Sequence, residues 1–370
     1  MSSAETDSVL AISENSGYSG ERRIVMERKR IAYLDSLRVV AILAVIMIHV
    51  AAQNWYSQDV NSAAWKTFNF YDSISRWSVP AFVMISGALM LDKDISIKKL
   101  YTQKIPRLLI AFLFWSLVYA LIMGGGVETV LINMVRGKSH LWFVYMIVGL
   151  YICIPILRKI VEDRRITVYF LAASLVLSFG VPFVLQVLTD FGGETVKAWT
   201  KAFKEAYDDM RITVIGGYAA CYVAGYYLHK TQISRRLRMV IYAMGLLGIV
   251  STIFLSLHIS LAQGTPVGSY YADLNLNVIV ASVAVFVWFE YNAPSADRIN
   301  GIVGRLSVCS FGVYLVHILV LESLKKHLGL DTLSFSPVLT VPIITAVVFL
   351  ISSAISEIIG KIPILKKYIV

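Results

Sequence analysis

Residues 34–52 read Leu34-Asp35-Ser36-Leu37-Arg38-Val-Val-Ala-Ile-Leu-Ala-Val-Ile-Met-Ile-His49-Val-Ala-Ala52. Past Arg38 every side chain except His49 is apolar, and none is Asp, Glu, Lys or Arg. A helix needs about 20 such residues to cross roughly 30 Å of hydrocarbon. Comparable runs recur at 79–91, 108–123, 168–189, 275–289 and 338–356, all without Lys or Arg. The composition agrees. The chain is 57% hydrophobic and 16% charged, against about 45–50% and about 25% for a soluble domain.

Working outward from that first run, about ten spans are predicted: 33–53, 70–91, 105–123, 139–158, 167–189, 212–229, 239–258, 275–291, 306–325 and 337–358. The alternation in segments of about ten residues that marks a membrane β-barrel is missing. The fold class is therefore an all-α integral membrane bundle. Residues 1–30 are expected to be a disordered cytoplasmic tail, 31–358 the membrane domain, and 359–370 a short basic cytoplasmic tail. No apolar segment with a cleavable pattern precedes the first span, so no removable signal peptide is expected.

The net charge is +10, and its placement carries the meaning. With the N-terminus in the cytoplasm, the inner segments hold 24 of the 34 Lys and Arg: 6 up to Arg38, 5 from Lys93 to Arg107, 4 from Arg158 to Arg165, 4 from Lys230 to Arg238, Arg298 and Arg305, and 3 from Lys361 to Lys367. The remaining 10 face outward. That asymmetry predicts both termini inside, and charge spread over loops in this way is topological rather than a nucleic-acid surface. Cys153, Cys221 and Cys309 fall within spans, which points to packing rather than disulfides.

Between the spans, residues 196–210 place Val196, Trp199, Phe203, Tyr207 and Met210 on one stripe, with Lys197, Lys201 and Lys204 off it. This is an amphipathic helix for the interface, either packed on the rim of the bundle or lying over an outward-facing site.

Ionisable groups within spans are costly, so they mark function or pairing. On the first span Arg38 and His49 are 11 residues apart, close to three turns, hence on one face and about 16 Å apart along the axis. Asp35 lies one turn before Arg38 and can orient it. Arg76 opens the second span and either snorkels to headgroups or faces a substrate. Lys104 and Arg107, i and i+3 at the start of the third span, satisfy the positive-inside rule and equally suit phosphate. His140 and His317 fall on the outer half with His49. They sit on separate spans without a His-x3-His pair, so no metal is expected. No P-loop, GxSxG, GxGxxG or HExxH motif occurs.

These residues carry a resemblance. Leu34-Asp35-Ser36-Leu37-Arg38 followed by His49 is similar to the Arg-x10-His signature of the acyltransferase family 3 membrane proteins. So are Val79-Pro80-Ala-Phe-Val-Met-Ile-Ser86-Gly87, His140-Leu-Trp142-Phe143 with Tyr151 and Pro155, and Ser310-Phe-Gly-Val-Tyr314-Leu-Val-His317. The blocks keep the family's order across residues 31–358. Residues 49–87 look most like the stand-alone enterobacterial common antigen O-acetyltransferases. In place of the family's Arg-x-x-Arg the chain has Lys104-Ile-Pro-Arg107, which keeps attraction for phosphate but loses one bidentate fork.

The resemblance implies transfer of an acyl group, most often acetyl from cytoplasmic acetyl-CoA, to a hydroxyl of a surface or lipid-linked glycan at a bacterial inner (plasma) membrane. The expected partners are that donor, the glycan acceptor and membrane lipid. Arg38, Lys104 and Arg107 would hold the donor. His49, with Arg38 and Asp35, would form the catalytic group, His49 acting as general base. Arg76, His140, Trp142 and His317 would line the acceptor side, with Arg76 or His140 as an oxyanion donor. A covalent acyl-imidazole on His49 is the alternative route. A multi-helix transporter or flippase is the rival class. It would show inverted repeats, and no repeat is visible.

Topology is testable directly. In a cysteine-free background, a single cysteine at Asn61 should react with an impermeant thiol reagent added outside intact cells, and one at Lys98 should not. Labelling of position 98 alone would invert the bundle.

Overall fold

The computed structural model describes residues 32–212, 216–293, 301–363, 365 and 369. The expected tail 1–30, and Arg298, Lys366 and Lys367 of the charge pattern, lie outside them. Thirteen helices follow in order: α1 Ala32–Ala52, α2 Ala63–Ser73, α3 Ser78–Met90, α4 Ile97–Met123, α5 Val127–Arg136, α6 Trp142–Glu162, α7 Arg164–Phe191, α8 Glu194–Asp209, α9 Gly217–Lys230, α10 Arg235–Gln263, α11 Leu276–Asn292, α12 Ile302–Leu328 and α13 Pro337–Lys361. Among the described residues there is no strand. The chain is an integral membrane helical bundle.

Eight helical runs are long and apolar enough to cross a membrane. The other two predicted crossings are built from shorter pieces. The span expected at 70–91 breaks at 74–77 into α2 and α3, and the one expected at 212–229 is the 14-residue α9. At 1.5 Å per residue α3 and α9 are each about 20 Å long, short of the hydrocarbon thickness. They can be short because each is covered by protein. They pack on one another through two glycines. A Cβ on Gly87 would overlap the Tyr222 carbonyl, and one on Gly225 the Met84 carbonyl. Close backbone approach through small residues is what holds helices together where lipid removes the usual hydrophobic drive.

Helix α1 is the axle of the bundle. Leu34, Leu37, Ala41 and Ala44 belong to an apolar cluster shared with α3, α6, α9 and α11. Val39, Ile42, Val45, Ile46 and Val50 belong to a second cluster shared with α4, α12 and α13. The outer helices α7 and α10 instead turn Val176, Leu246 and Phe254 to the surrounding lipid.

Two expectations change. In α8 the predicted stripe divides. Thr200 and Tyr207 face the protein, and the Tyr207 hydroxyl donates to the Leu177 carbonyl of α7 (2.6 Å), while Trp199 (64% exposed) and Phe203 point away. An aromatic edge left bare on a membrane helix suits the interface, where ring and amide both find partners. The expected basic tail is also partly structured. α13 continues to Lys361, and Ile369 is buried with its carbonyl accepting from Trp115 Nε1 of α4 (3.1 Å).

The glycine contact predicts a stability difference. Gly87→Ala or Gly225→Ala should lower the unfolding temperature in detergent, by about 1–3 kcal/mol of overpacking. Gly149→Ala, where an added Cβ meets nothing within 4 Å, should be neutral or mildly stabilising. Equal behaviour of the three variants would remove the close α3–α9 contact.

Candidate active site

The basic end of α1 carries the first constellation. Arg38 Nη1 donates to Asp35 Oδ1 (3.2 Å) and to Ser307 Oγ of α12 (2.8 Å), and the Ser307 hydroxyl donates to the same Asp35 oxygen (2.5 Å). Asp35 thus aligns Arg38, as one turn of helix allows, and Ser307 closes the triangle. Among the described residues the hydrogen bonds of Arg38 all run through Nη1. Tyr151 of α6 lies within the electrostatic reach of both Arg38 and Arg107. Lys104 ends a π-helical turn, Leu100–Lys104, at the start of α4. Lys104 and Arg107 are both engaged within the protein.

The far half of α1 carries the second. His49, His140 and His317 come from α1, the 3-10 turn before α6, and α12, and the structure brings them together. Ring centroids lie 5.1 Å apart for His49–His317, 5.1 Å for His140–His317 and 6.3 Å for His49–His140. His140 and His317 are 3% and 0% exposed. His49 is half-buried, less covered than the other two. Among the described residues no group of three or more His, Cys, Asp or Glu is placed to hold a metal ion.

Tyrosines set the orientation of these rings. His317 Nδ1 lies 2.6 Å from the Tyr314 carbonyl. A carbonyl only accepts, so Nδ1 carries the proton and Nε2 the lone pair. That Nε2, and both nitrogens of His140, are buried without a hydrogen-bond partner. The Leu315 carbonyl is near His140, outside hydrogen-bonding geometry. It is already taken by the Tyr119 hydroxyl of α4 (2.9 Å), which also accepts from Leu319 N (3.2 Å). Tyr119 is therefore inserted at an i, i+4 step of α12 beside His317. The Tyr314 hydroxyl donates to the His140 carbonyl (2.5 Å) and ties α12 to the start of α6.

A third group stands where α3 begins. Arg76 does not snorkel. It turns inward to Asp72 (2.5 Å from Nε and 2.7 Å from Nη2) and lies 4.4 Å over the Tyr271 ring. Asp72 is buried, and the Tyr271 hydroxyl donates to Asn69. Arg76 acts electrostatically on both His49 and Asp273. Trp142 packs 5.8 Å from Tyr218, whose hydroxyl donates to Asp273 Oδ2 (3.0 Å).

Of the residues expected from sequence, Arg38 with Asp35, and the three histidines, are thus brought together. Sequence reading missed Ser307, Tyr119, Asp72, Tyr218 and Asp273. Asp72 could have been found four residues before Arg76, in ion-pair register. The others carry no local signal.

A family model described as an acyltransferase domain matches residues 31–357. No curated protein and no solved structure matches the chain.

The tautomer at His317 separates two roles. His317→Gln keeps a donor for the Tyr314 carbonyl and should fold with near wild-type stability, whereas His317→Ala should lose about 1 kcal/mol. Acyl-transfer turnover should fall in both, because neither retains a basic nitrogen. Full turnover in His317→Gln would make His317 a purely structural residue.

Proposed function

The chain belongs to the acyltransferase family 3 and is a membrane acyltransferase, and from that premise we propose that it is an O-acetyltransferase for a surface glycan. It takes the acetyl group from cytoplasmic acetyl-CoA and delivers it to a hydroxyl of an extracytoplasmic or lipid-linked sugar. In this reading it works in a bacterial plasma membrane, as the stand-alone enterobacterial common antigen type enzymes do. The observation that carries the proposal is the division of labour along α1. An aligned guanidinium sits at its basic end, and a half-buried imidazole lies about 16 Å further along the same face.

The residues fit the donor. Phosphate and pyrophosphate need cations and N–H donors, and Lys104, Arg107 and Arg38 line that end. The extended, uncharged arm between nucleotide and thioester suits a path along α1 between the two apolar clusters. His49 removes the proton from the acceptor hydroxyl as its oxygen attacks the thioester carbonyl. The carbon–sulfur bond then breaks, and the leaving thiolate takes the proton from His49. Arg76 and His140 are the candidates for stabilising the oxyanion. Asp35 and Ser307 act on Arg38 as positioning residues.

Loss of His49 and loss of Arg38 should therefore look different. His49→Ala should cut turnover by roughly 10²–10⁴-fold with donor binding nearly intact. Arg38→Ala should raise the donor KM, and Arg38→Lys should recover part of it, since charge is kept and the fork is lost. Release of CoA thiol in the presence of acceptor, and donor binding in the same detergent, give both numbers. Near-normal turnover in His49→Ala would end the general-base assignment.

A further inference from the structure

Where α6 turns into α7, a cavity of about 410 Å³ opens against the last turn of α9. Arg164, Tyr226, Tyr227, Lys230, Thr231 and Gln232 all line it. It lies at the basic end of the bundle. The Tyr33 hydroxyl, in the first turn of α1, is 2.6 Å from His229 Nδ1, and Lys230 pairs with Asp92 just past the end of α3 (2.6 Å). The cavity thus stands at the level where crossing helices begin and end, on the side that the charge pattern makes cytoplasmic.

Its lining carries two cations and no carboxylate. Lys230 is balanced by Asp92, but the Arg164 guanidinium has no hydrogen-bond or ion-pair partner among the described residues. The hydroxyls of Tyr226, Tyr227 and Thr231 and the amide of Gln232 have none there either. Guanidinium, hydroxyl and amide donors around one hollow are the set that phosphate oxygens accept from. The neighbouring carboxylates are engaged elsewhere. Asp163 caps α7 by accepting from Arg165 N (2.7 Å), and Glu162 pairs with Lys159 (2.9 Å). Positive-inside placement alone asks for exposed cations and gives no concavity. The way out of the cavity is apolar. α7 is the least covered of the eight crossing helices, and its first turns leave Ile166, Val168 and Tyr169 exposed. A second hollow along those turns, with Val168 and Tyr169 in its lining, also borders Arg164. A molecule with its head in the cavity can lay apolar chains down this face, which a free phosphate has no use for.

We propose that this cavity binds the headgroup phosphate of an anionic phospholipid from the cytoplasmic leaflet, with Arg164 and Lys230 at the phosphate and the acyl chains against α7. Basic hollows between membrane helices on the cytoplasmic side recognise such headgroups. A zwitterionic headgroup brings its own cation toward Arg164 and is disfavoured. The bound lipid fastens a helix that protein covers thinly. None of this depends on the acyl-transfer reading above.

The test uses the full-length protein in a neutral detergent, titrated with dioleoylphosphatidylglycerol or dioleoylphosphatidylcholine. Retained lipid is read by native mass spectrometry, and the unfolding temperature is followed in parallel. Phosphatidylglycerol should bind about 10-fold tighter and raise the unfolding temperature more, since each cation near the surface contributes about 5-fold toward an anionic lipid. Arg164→Gln should weaken it about 5-fold, and Arg164→Gln with Lys230→Gln about 20-fold. Arg164→Lys should keep most of the affinity. Lys98→Gln removes an exposed cation at the same end but outside the cavity, and should leave binding unchanged. Phosphatidylcholine binding should stay level in every variant, and an unchanged unfolding temperature without lipid shows that each is folded. Equal binding of the two lipids overturns the inference. So does an equal loss in Arg164→Gln and Lys98→Gln, which reduces the attraction to diffuse charge. Sodium phosphate that displaces the lipid at equal concentration also overturns it, in favour of a soluble phosphate site. Displacement by acetyl-CoA overturns it as well, and gives the cavity to the donor.

Discussion

A guanidinium among membrane helices has no water to fall back on, so it must carry its own partners. At Arg38 those partners are Asp35 on the same helix and Ser307 on α12. Much else follows from that triangle. It fixes the rotation of α1, since Asp35 and Arg38 must face α12. With that rotation set, His49 falls on the same side three turns on. Ser307 also sets the register of α12, whose His317 then arrives ten residues further along, beside His49. A shift of either helix by one residue would turn a charge toward an apolar cluster and separate the imidazoles.

The neighbouring helices secure the same arrangement by different means. Tyr119 reaches from α4 into the backbone of α12, taking up both Leu315 and Leu319. Tyr314 reaches from α12 to the His140 carbonyl. Each bond satisfies a backbone group in a region with no water to do it, so the tyrosines bind the helices and settle the imidazole orientation together. On the other side of α1, glycine contact between α3 and α9 replaces polar contact.

The sequence made the local parts of this arrangement readable. Arg38 and His49 share a helix, so their spacing alone places them on one face. The basic residues at Lys104 and Arg107 are visible as charge, and Asp72 stands in plain ion-pair register with Arg76. The meeting of His49, His140 and His317 is set by the packing of three separate elements, and no periodicity contains it. Asp273 lies between α10 and α11 beside Tyr270 and Tyr271, in a stretch whose only signal is that it is not a helix. Tyr119 sits in an apolar run and looks like any interfacial aromatic. Hydropathy also ran the end of α2 and α3 together into one span, because a four-residue turn is too short to interrupt a sliding window.

The shortness of α3 and α9 has an electrical consequence. Each is about 20 Å long where the surrounding hydrocarbon is about 30 Å. A voltage applied across the membrane falls over whatever layer insulates the two sides. Over the shorter path the same voltage gives a field about one and a half times as steep. Arg76 and Asp72 stand at one end of that path, and Arg158 at the other, its guanidinium donating to the Met90 carbonyl at the end of α3. The pairing of these groups keeps the net charge exposed to that field small.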